Sequence, residues 1–290
     1  MNVLVAGGSG FVGRSLCRVL DDRGHAVTAA SRSPDAKGLP AGVETATLDV
    51  TDPDLTDAVA GHDAVVNLVA LPSHRTPCGG THESVHLGGT RRLVAASEEA
   101  GAARFVQMSG LGVDSGVDTV YFRAKRRAER LVRDSALNWV VYRPSVVFGD
   151  GCAFLPFLER VTPPLIAPLP GGGDLRVQPI WVEDLAPMLA AGVEDADRAG
   201  DTYELGGPER LTLAAVVELI RGDRVVVPVP MPVAAAGATV AELLPGVPFG
   251  RDQYRVFRRD NVTADNDVTR FGVAESDLRT LASYLTEQNA

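Results

Sequence analysis

Tyr121 and Lys125 stand four residues apart in a stretch that reads as helical, so a phenol and an amine share one helix face. Of the twenty-eight basic side chains, only Lys37 and Lys125 are lysines; every other one is arginine. Arginine replaces lysine readily as a surface charge, but not where a compact ammonium must reach a single oxygen. Five tyrosines in a chain with two lysines would give about 0.03 such pairs by accident. A phenol with an ordinary pKa near ~10 is a poor acid at neutral pH, and a nearby ammonium stabilises the phenolate and lowers that value. The pair therefore points to proton donation to a ketone that is receiving hydride, and that chemistry requires a nicotinamide.

The N-terminus offers a place for one. Asn2 to Ala6 reads as a buried strand and is followed at once by Gly7-Gly8-Ser9-Gly10-Phe11-Val12-Gly13-Arg14 and an amphipathic run, Ser15 to Arg23. A glycine turn between strand and helix lets the backbone approach a pyrophosphate, whose charge sits on the free N–H groups and the positive end of the helix. Gly7, Gly10 and Gly13 satisfy GxxGxxG, and Gly8, Gly10 and Gly13 satisfy GxGxxG. The second strand, His25 to Ser31, follows on cue.

The tip of that strand reads Ala30-Ser31-Arg32-Ser33, with no carboxylate to accept from a ribose 2′-hydroxyl. Arg32, helped by Arg14, can form charge-assisted bonds to a 2′-phosphate, which favours NADP (as NADPH) over NAD.

Strands and helices alternate through the first half: strand at 43–49, helix at 54–60, strand at 64–69, helix at 81–100, strand at 103–109, helix at 119–135 and strand at 139–143. Such alternation specifies an α/β fold, a Rossmann-type doubly wound parallel sheet with right-handed crossovers. Asp49, Asn67, Ser109 and Arg143-Pro144 fall at the C-terminal strand ends, where ligands of such sheets sit. After Gly149 the chain is rich in proline and glycine, and helices are expected at 183–193, 213–221, 231–244 and 275–288. The expected division is a dinucleotide-binding domain over 1–150 and a smaller substrate-binding lobe over 151–290, with some segments returning to the sheet.

A net charge of −9 argues against a nucleic-acid partner. Three widely spaced cysteines, Cys17, Cys78 and Cys152, suggest a reducing, cytoplasmic setting without a disulfide frame. No signal peptide is expected before the first strand. The apolar tract from Val225 to Phe249 is interrupted by prolines and Glu242, so no membrane span is expected. His74, His82 and His86 cluster in sequence with Glu83, and the four-residue separation of His82 and His86 keeps a metal formally possible, but none is expected. Arg123, Arg127 and Arg130 lie off the Tyr121–Lys125 face and read as a solvated stripe. The loop from Leu71 to Gly80, with Cys78 near its tip, is a candidate lining of a substrate site.

Together these residues resemble the short-chain dehydrogenase/reductase superfamily in its extended and atypical branches, through nearly the whole chain. Gly7, Ser9, Gly10, Phe11, Val12, Gly13 and Arg14 look like the cofactor loop, and Leu48-Asp49-Val50 looks like the adenine-side contact. Val65 to Leu71, with Leu68, Val69 and Ala70, is similar to the segment flanking the nicotinamide ribose. Tyr121 to Lys125 is similar to the YxxxK motif. Tyr142 to Gly149, with Pro144, Val146 and Val147, looks like the stretch holding the carboxamide end. Gln178 to Ala186 and Tyr203 to Pro208 are similar to segments of the atypical subgroup, which includes the nucleotide-binding accessory subunit of respiratory complex I.

The resemblance implies that Tyr121 exchanges the proton, that Lys125 holds the nicotinamide ribose and depresses the tyrosine pKa, and that Ser109 hydrogen-bonds the substrate carbonyl. His86 stands where the extended branch usually has an asparagine. A packed, hydrogen-bonded histidine is expected there, with a proton-relay role as the alternative. The expected function is an NADPH-dependent reductase of a medium-sized, largely apolar carbonyl compound, a ketone or quinone-like molecule of the natural-product kind. The alternatives are a nucleotide-sugar epimerase or dehydratase with tightly bound NAD(P), and a non-catalytic NAD(P)H-binding accessory protein. Monomer and homodimer both remain open.

Overall fold

The computed structural model describes residues 1–71, 80–163, 165–222, 225–241, 251–256 and 258–288. His74, Cys78 and nearly all of the Leu71–Gly80 loop lie outside the described residues, as does the tract from Glu242 to Phe249. The chain forms two compact units. Unit 1 comprises 1–113, 121–143 and 182–203; unit 2 comprises 114–120, 144–181 and 204–290.

Unit 1 is built on strands β1 (Asn2–Ala6), β2 (Ala26–Ser31), β3 (Glu44–Thr47), β4 (Ala64–Asn67), β5 (Arg104–Met108) and β6 (Asn138–Pro144). Neighbouring strands pair in parallel in the order β6-β5-β4-β1-β2-β3. The seven-stranded sheet is completed outside β6 by a late strand, Thr202–Leu205. Val3 to Ala6 and all of β4 are buried, because helices cover both faces of a parallel sheet and leave no polar side. The strand order reverses between β1 and β4, which opens a crevice at their C-terminal ends.

The crossovers carry helices α1 (Phe11–Asp22), α2 (Thr56–Val59), α3 (Thr90–Glu99) and α4 (Val120–Arg133). α4 buries Phe122, Ala124, Ala128 and Val132 and leaves Arg123, Arg127 and Arg130 exposed, as its residue spacing dictates. The expected helix over 81–100 is α3 preceded by a π-helical stretch, Glu83–Gly89. A Cβ on Gly89 would meet Val50 at 2.8 Å, so this close approach requires glycine. The helix Val182–Glu194 also belongs to unit 1. Glu183 accepts from Ser15 and Arg18 of α1, and Glu194 pairs with Arg23 and His25.

Unit 2 holds three short strand pairs: Val147–Phe148 with Ile180–Trp181, Ile166–Pro170 with Val225–Val229, and Arg176–Val177 with Leu211–Thr212. The helix expected over 275–288 is a short 3-10 turn, Glu275–Asp277, followed by the α-helix Leu281–Gln288. Leu278 is extended, and the Thr280 hydroxyl takes the Ser283 N–H, which starts a new helix there.

Candidate active site

At the end of β1 the Gly7 N–H donates to the Ala30 carbonyl at 2.7 Å, and the backbone turns through a left-handed conformation at Gly7 (φ 89°). A Cβ on Gly13 would stand 2.2 Å from the Gly7 carbonyl oxygen, so the first turn of α1 rests directly on the loop. Gly10 caps α1 without a side-chain bond, and the first turn contains no acid. Its leading N–H groups and positive end are therefore left for an outside anion. These features suit a dinucleotide pyrophosphate.

The loop is flanked as the strand order requires. Leu68 donates to the Ala6 carbonyl, and the Val69 N–H donates to the Asn67 side chain at 3.2 Å. The Leu68–Val69 peptide lies against Gly7, while Ala70 is exposed. Ser9 bonds Ser31 hydroxyl to hydroxyl at 2.8 Å, and Phe11 and Val12 are half-buried. Arg32 is exposed. Arg14 pairs with Asp35 at 3.2 Å, an acid that the strand tip itself lacks. Burial would raise the Asp49 carboxyl, but two bonds from Thr51 and the charge of Arg32 hold it below the usual range. Val50 is buried, and its carbonyl accepts from Arg92.

The chemistry-bearing pair is assembled within unit 1. The Tyr121 hydroxyl sits where a Cβ on Gly110 would be 3.1 Å away, so it lies beside the end of β5. The preceding residue, Ser109, is 5% exposed; its N–H donates to the Tyr142 carbonyl and its hydroxyl has no partner among the described residues. Lys125 is 4% exposed and donates to the Met108 carbonyl at 2.9 Å. Its ammonium lies 5.9 Å from the centroid of the Tyr121 ring.

One expectation is corrected here. Lys125 does not draw the Tyr121 pKa towards neutrality; burial, and then the Glu129 charge, push the phenol up to about 12. The ammonium faces the ring and a carbonyl, and too little of its field reaches the phenolic oxygen to offset desolvation. Lys125 itself is lowered to about 8 by burial, partly opposed by Glu129.

Glu129 is the residue that sequence reasoning passed over. It follows Lys125 by four positions and Tyr121 by eight, so all three share a face of α4. It is 1% exposed and binds Arg143 through both oxygens. The i, i+4, i+8 spacing is the available signal, hidden inside a basic run.

His86 is packed as expected, at 2% exposure, but poorly hydrogen-bonded: the Leu71 N–H reaches its Nε2 at 3.5 Å. Burial, Lys125 and His82 push its pKa down to about 2, so it cannot store a proton as imidazolium. The His82 and His86 rings stack at 5.3 Å, and each meets the Tyr121 ring edge-on. Among the described residues no group of three or more His, Cys, Asp or Glu is placed to hold a metal.

Pro144, Val146 and Val147 belong to unit 2. Their anchor is Ser145, whose N–H donates to the Leu205 carbonyl and whose hydroxyl bonds Asn261. The Val146 carbonyl accepts from Ile180. Gln178 bonds Gly207 and Thr263, which ties the two segments singled out in the sequence, around 178 and 206, to each other.

A family described as NAD(P)H-binding matches residues 7–151. The chain is 32% identical over 247 residues to 2-alkyl-3-oxoalkanoate reductase of Stenotrophomonas maltophilia, covering 75% of this chain and 74% of that one. It is 29% identical over 275 residues to the NADH dehydrogenase [ubiquinone] 1 alpha subcomplex subunit 9 of Arabidopsis thaliana, covering 90% of this chain and 68% of that one. Across the curated relatives compared, the chain spans from 43% to 74% of their length. Among solved structures, a UDP-glucose 4-epimerase of Thermotoga maritima with UDP-glucose has the same fold, with a TM-score of 0.69, 17% identity and full coverage of both chains.

Proposed function

Because the chain belongs to the NAD(P)H-binding family and is of the extended short-chain dehydrogenase/reductase type, we propose that it is an NADPH-dependent reductase of a ketone or quinone-like substrate. The observation that carries this reading is the Tyr121 hydroxyl beside Gly110, adjacent to the unpaired Ser109 hydroxyl. Those two groups would hold one substrate oxygen. The bound nicotinamide would supply the hydride. Tyr121, protonated at neutral pH, donates its proton as the oxygen gains charge, and Ser109 shares that charge. Lys125 uses one of its three donors on Met108, which leaves others for a ribose hydroxyl.

Arg32 and Arg14 would bind the 2′-phosphate, with Asn67, Leu68, Val69 and Ala70 on the nicotinamide side and Pro144, Val146 and Val147 at the carboxamide. Unit 2 would select the substrate. Arg176 turns its Nε and Nη2 donors onto one carboxylate oxygen of Asp260, which disfavours it as a cradle for a sugar diphosphate. No helix among the described residues is long and apolar enough to cross a membrane, and buried free cysteines at 17 and 152 suit a reducing cytoplasm.

The accessory-protein reading draws on the likeness to the Arabidopsis subunit and on the high phenol pKa. Loss of nicotinamide absorbance with a panel of ketones and quinones separates the two. Tyr121→Phe should lower turnover by at least about 100-fold with NADPH affinity kept within threefold. A fully active variant would rule out Tyr121 as the proton donor.

A further inference from the structure

His86 carries a buried ring nitrogen, Nδ1, with no partner among the described residues. The Leu71 N–H faces its Nε2 at 3.5 Å, and a backbone N–H can only donate. Nε2 is therefore the acceptor side of the ring, and Nδ1 carries the proton. Were the ring cationic, Nδ1 would still carry one. That N–H has no acceptor among the described residues, and His86 is 2% exposed. Buried polar groups are nearly always paired, and an exception calls for an explanation such as a catalytic or ligand-binding role.

The position of this exception is informative. The π-helical stretch presents the His86 ring edge-on to the Tyr121 ring at 5.4 Å. Ser109, at the end of β5, is likewise buried near the tyrosine, and its hydroxyl has no partner among the described residues. Thus β5, α4 and the π-helix each bring a hydrogen-bonding side chain to one neighbourhood of unit 1, two of them unsatisfied. A single ketone oxygen can engage Ser109 and Tyr121. A further donor on a separate element calls for a second oxygen.

We propose that the His86 Nδ1–H donates to a second carbonyl oxygen of the substrate, so that the enzyme takes 3-oxo acyl compounds in preference to simple ketones. This rests on the reductase reading and narrows its substrate class. A π-helical insertion is a frequent device at functional sites, and here it sets the ring at that place.

The test compares ethyl 3-oxooctanoate with undecan-6-one, a matched chain without the second carbonyl, using NADPH and the full-length protein. His86→Phe keeps a flat ring against Tyr121 and removes the donor. It should lower kcat/KM for the oxo ester about 10- to 100-fold, and for the simple ketone less than about threefold, with NADPH affinity unchanged. Equal losses on both substrates would overturn the proposal, since the donor would then serve Tyr121 or the fold. A tenfold weaker NADPH affinity would overturn it too, by assigning the donor to the cofactor. Calorimetric titration of the wild-type protein with NADP and the two reduced products, ethyl 3-hydroxyoctanoate and undecan-6-ol, needs neither turnover nor a folded variant. Tenfold tighter binding of the ester supports the inference; equal binding, or none, sinks it. If wild type reduces neither ketone, it is the reductase reading that fails, and the titration still decides the ligand class.

Discussion

Glu129 closes both carboxylate oxygens on the Arg143 guanidinium, at 3.0 and 2.7 Å, with 1% of the glutamate side chain exposed. Arg133 reaches the same carboxylate at 2.8 Å. A buried pair of this kind contributes little relative to an apolar substitute, but breaking it strands a charge. Glu129→Gln should therefore cost about 3–5 kcal/mol in denaturant unfolding. In the folded variant the Tyr121 and Lys125 pKa values should both fall, because the Glu129 charge raises each. A cost below about 1 kcal/mol would mean that water reaches the pair.

Stability should depend on pH through Lys125. Burial lowers its ammonium from 10.5 to about 8, so between those values the unfolded chain binds the extra proton. Stability therefore rises with pH across that window, by on the order of 3 kcal/mol for this group alone. Tyr121 acts oppositely higher up: raised from 10.0 to about 12, it makes stability fall across that range. Lys125→Met should abolish the first slope, which then appears in the wild-type-minus-variant difference. An unchanged slope between pH 8 and 10.5 would place the ammonium in water.

Ser109 should trade stability against activity. Its buried hydroxyl has no partner among the described residues, so Ser109→Ala removes an unsatisfied group. Unfolding free energy should stay level or rise by up to about 1 kcal/mol. Turnover should drop by about 10- to 100-fold, the loss of one donor to a developing oxyanion. Reduced stability with intact turnover would show the serine to be structural.

Cofactor choice should respond to the acid that occupies Arg14. Asp35 holds that guanidinium at 3.2 Å, with both side chains substantially exposed. Asp35→Asn frees the cation and should tighten NADPH two- to fivefold at low salt without changing NADH. Arg32→Ser should weaken NADPH about tenfold, again sparing NADH. Fluorescence titration reads both, and equal shifts for the two nucleotides would remove the phosphate argument.

The dinucleotide half is legible in the sequence because its signals are local. Continuous apolar runs make β1 and β4, and the glycine spacing reports the backbone approach at Gly7 and Gly13. Tyr121 and Lys125 are legible for the same reason. What is not legible depends on distant partners. The π-helical stretch at Glu83–Gly89 answers to Val50, which meets Gly89 from another element. The phenol pKa depends on burial that no i, i+4 spacing encodes. Thr202–Leu205 is too short and mixed to read as a sheet strand, yet its neighbour Asp201 accepts from Val141 in β6.

The late return of the chain to unit 1 has a practical consequence for anyone dividing the gene. A fragment stopping near residue 150 would encode the six sheet strands β1 to β6 and helices α1 to α4 but omit Val182–Glu194 and the edge strand. α1 would lose Glu183, Arg23 just beyond it would lose Glu194, and the outer margin of β6 would be left bare for intermolecular pairing. Such a truncation should precipitate, whereas a fusion that joins residue 143 through a flexible tether to 182–205 should recover a monomeric nucleotide binder.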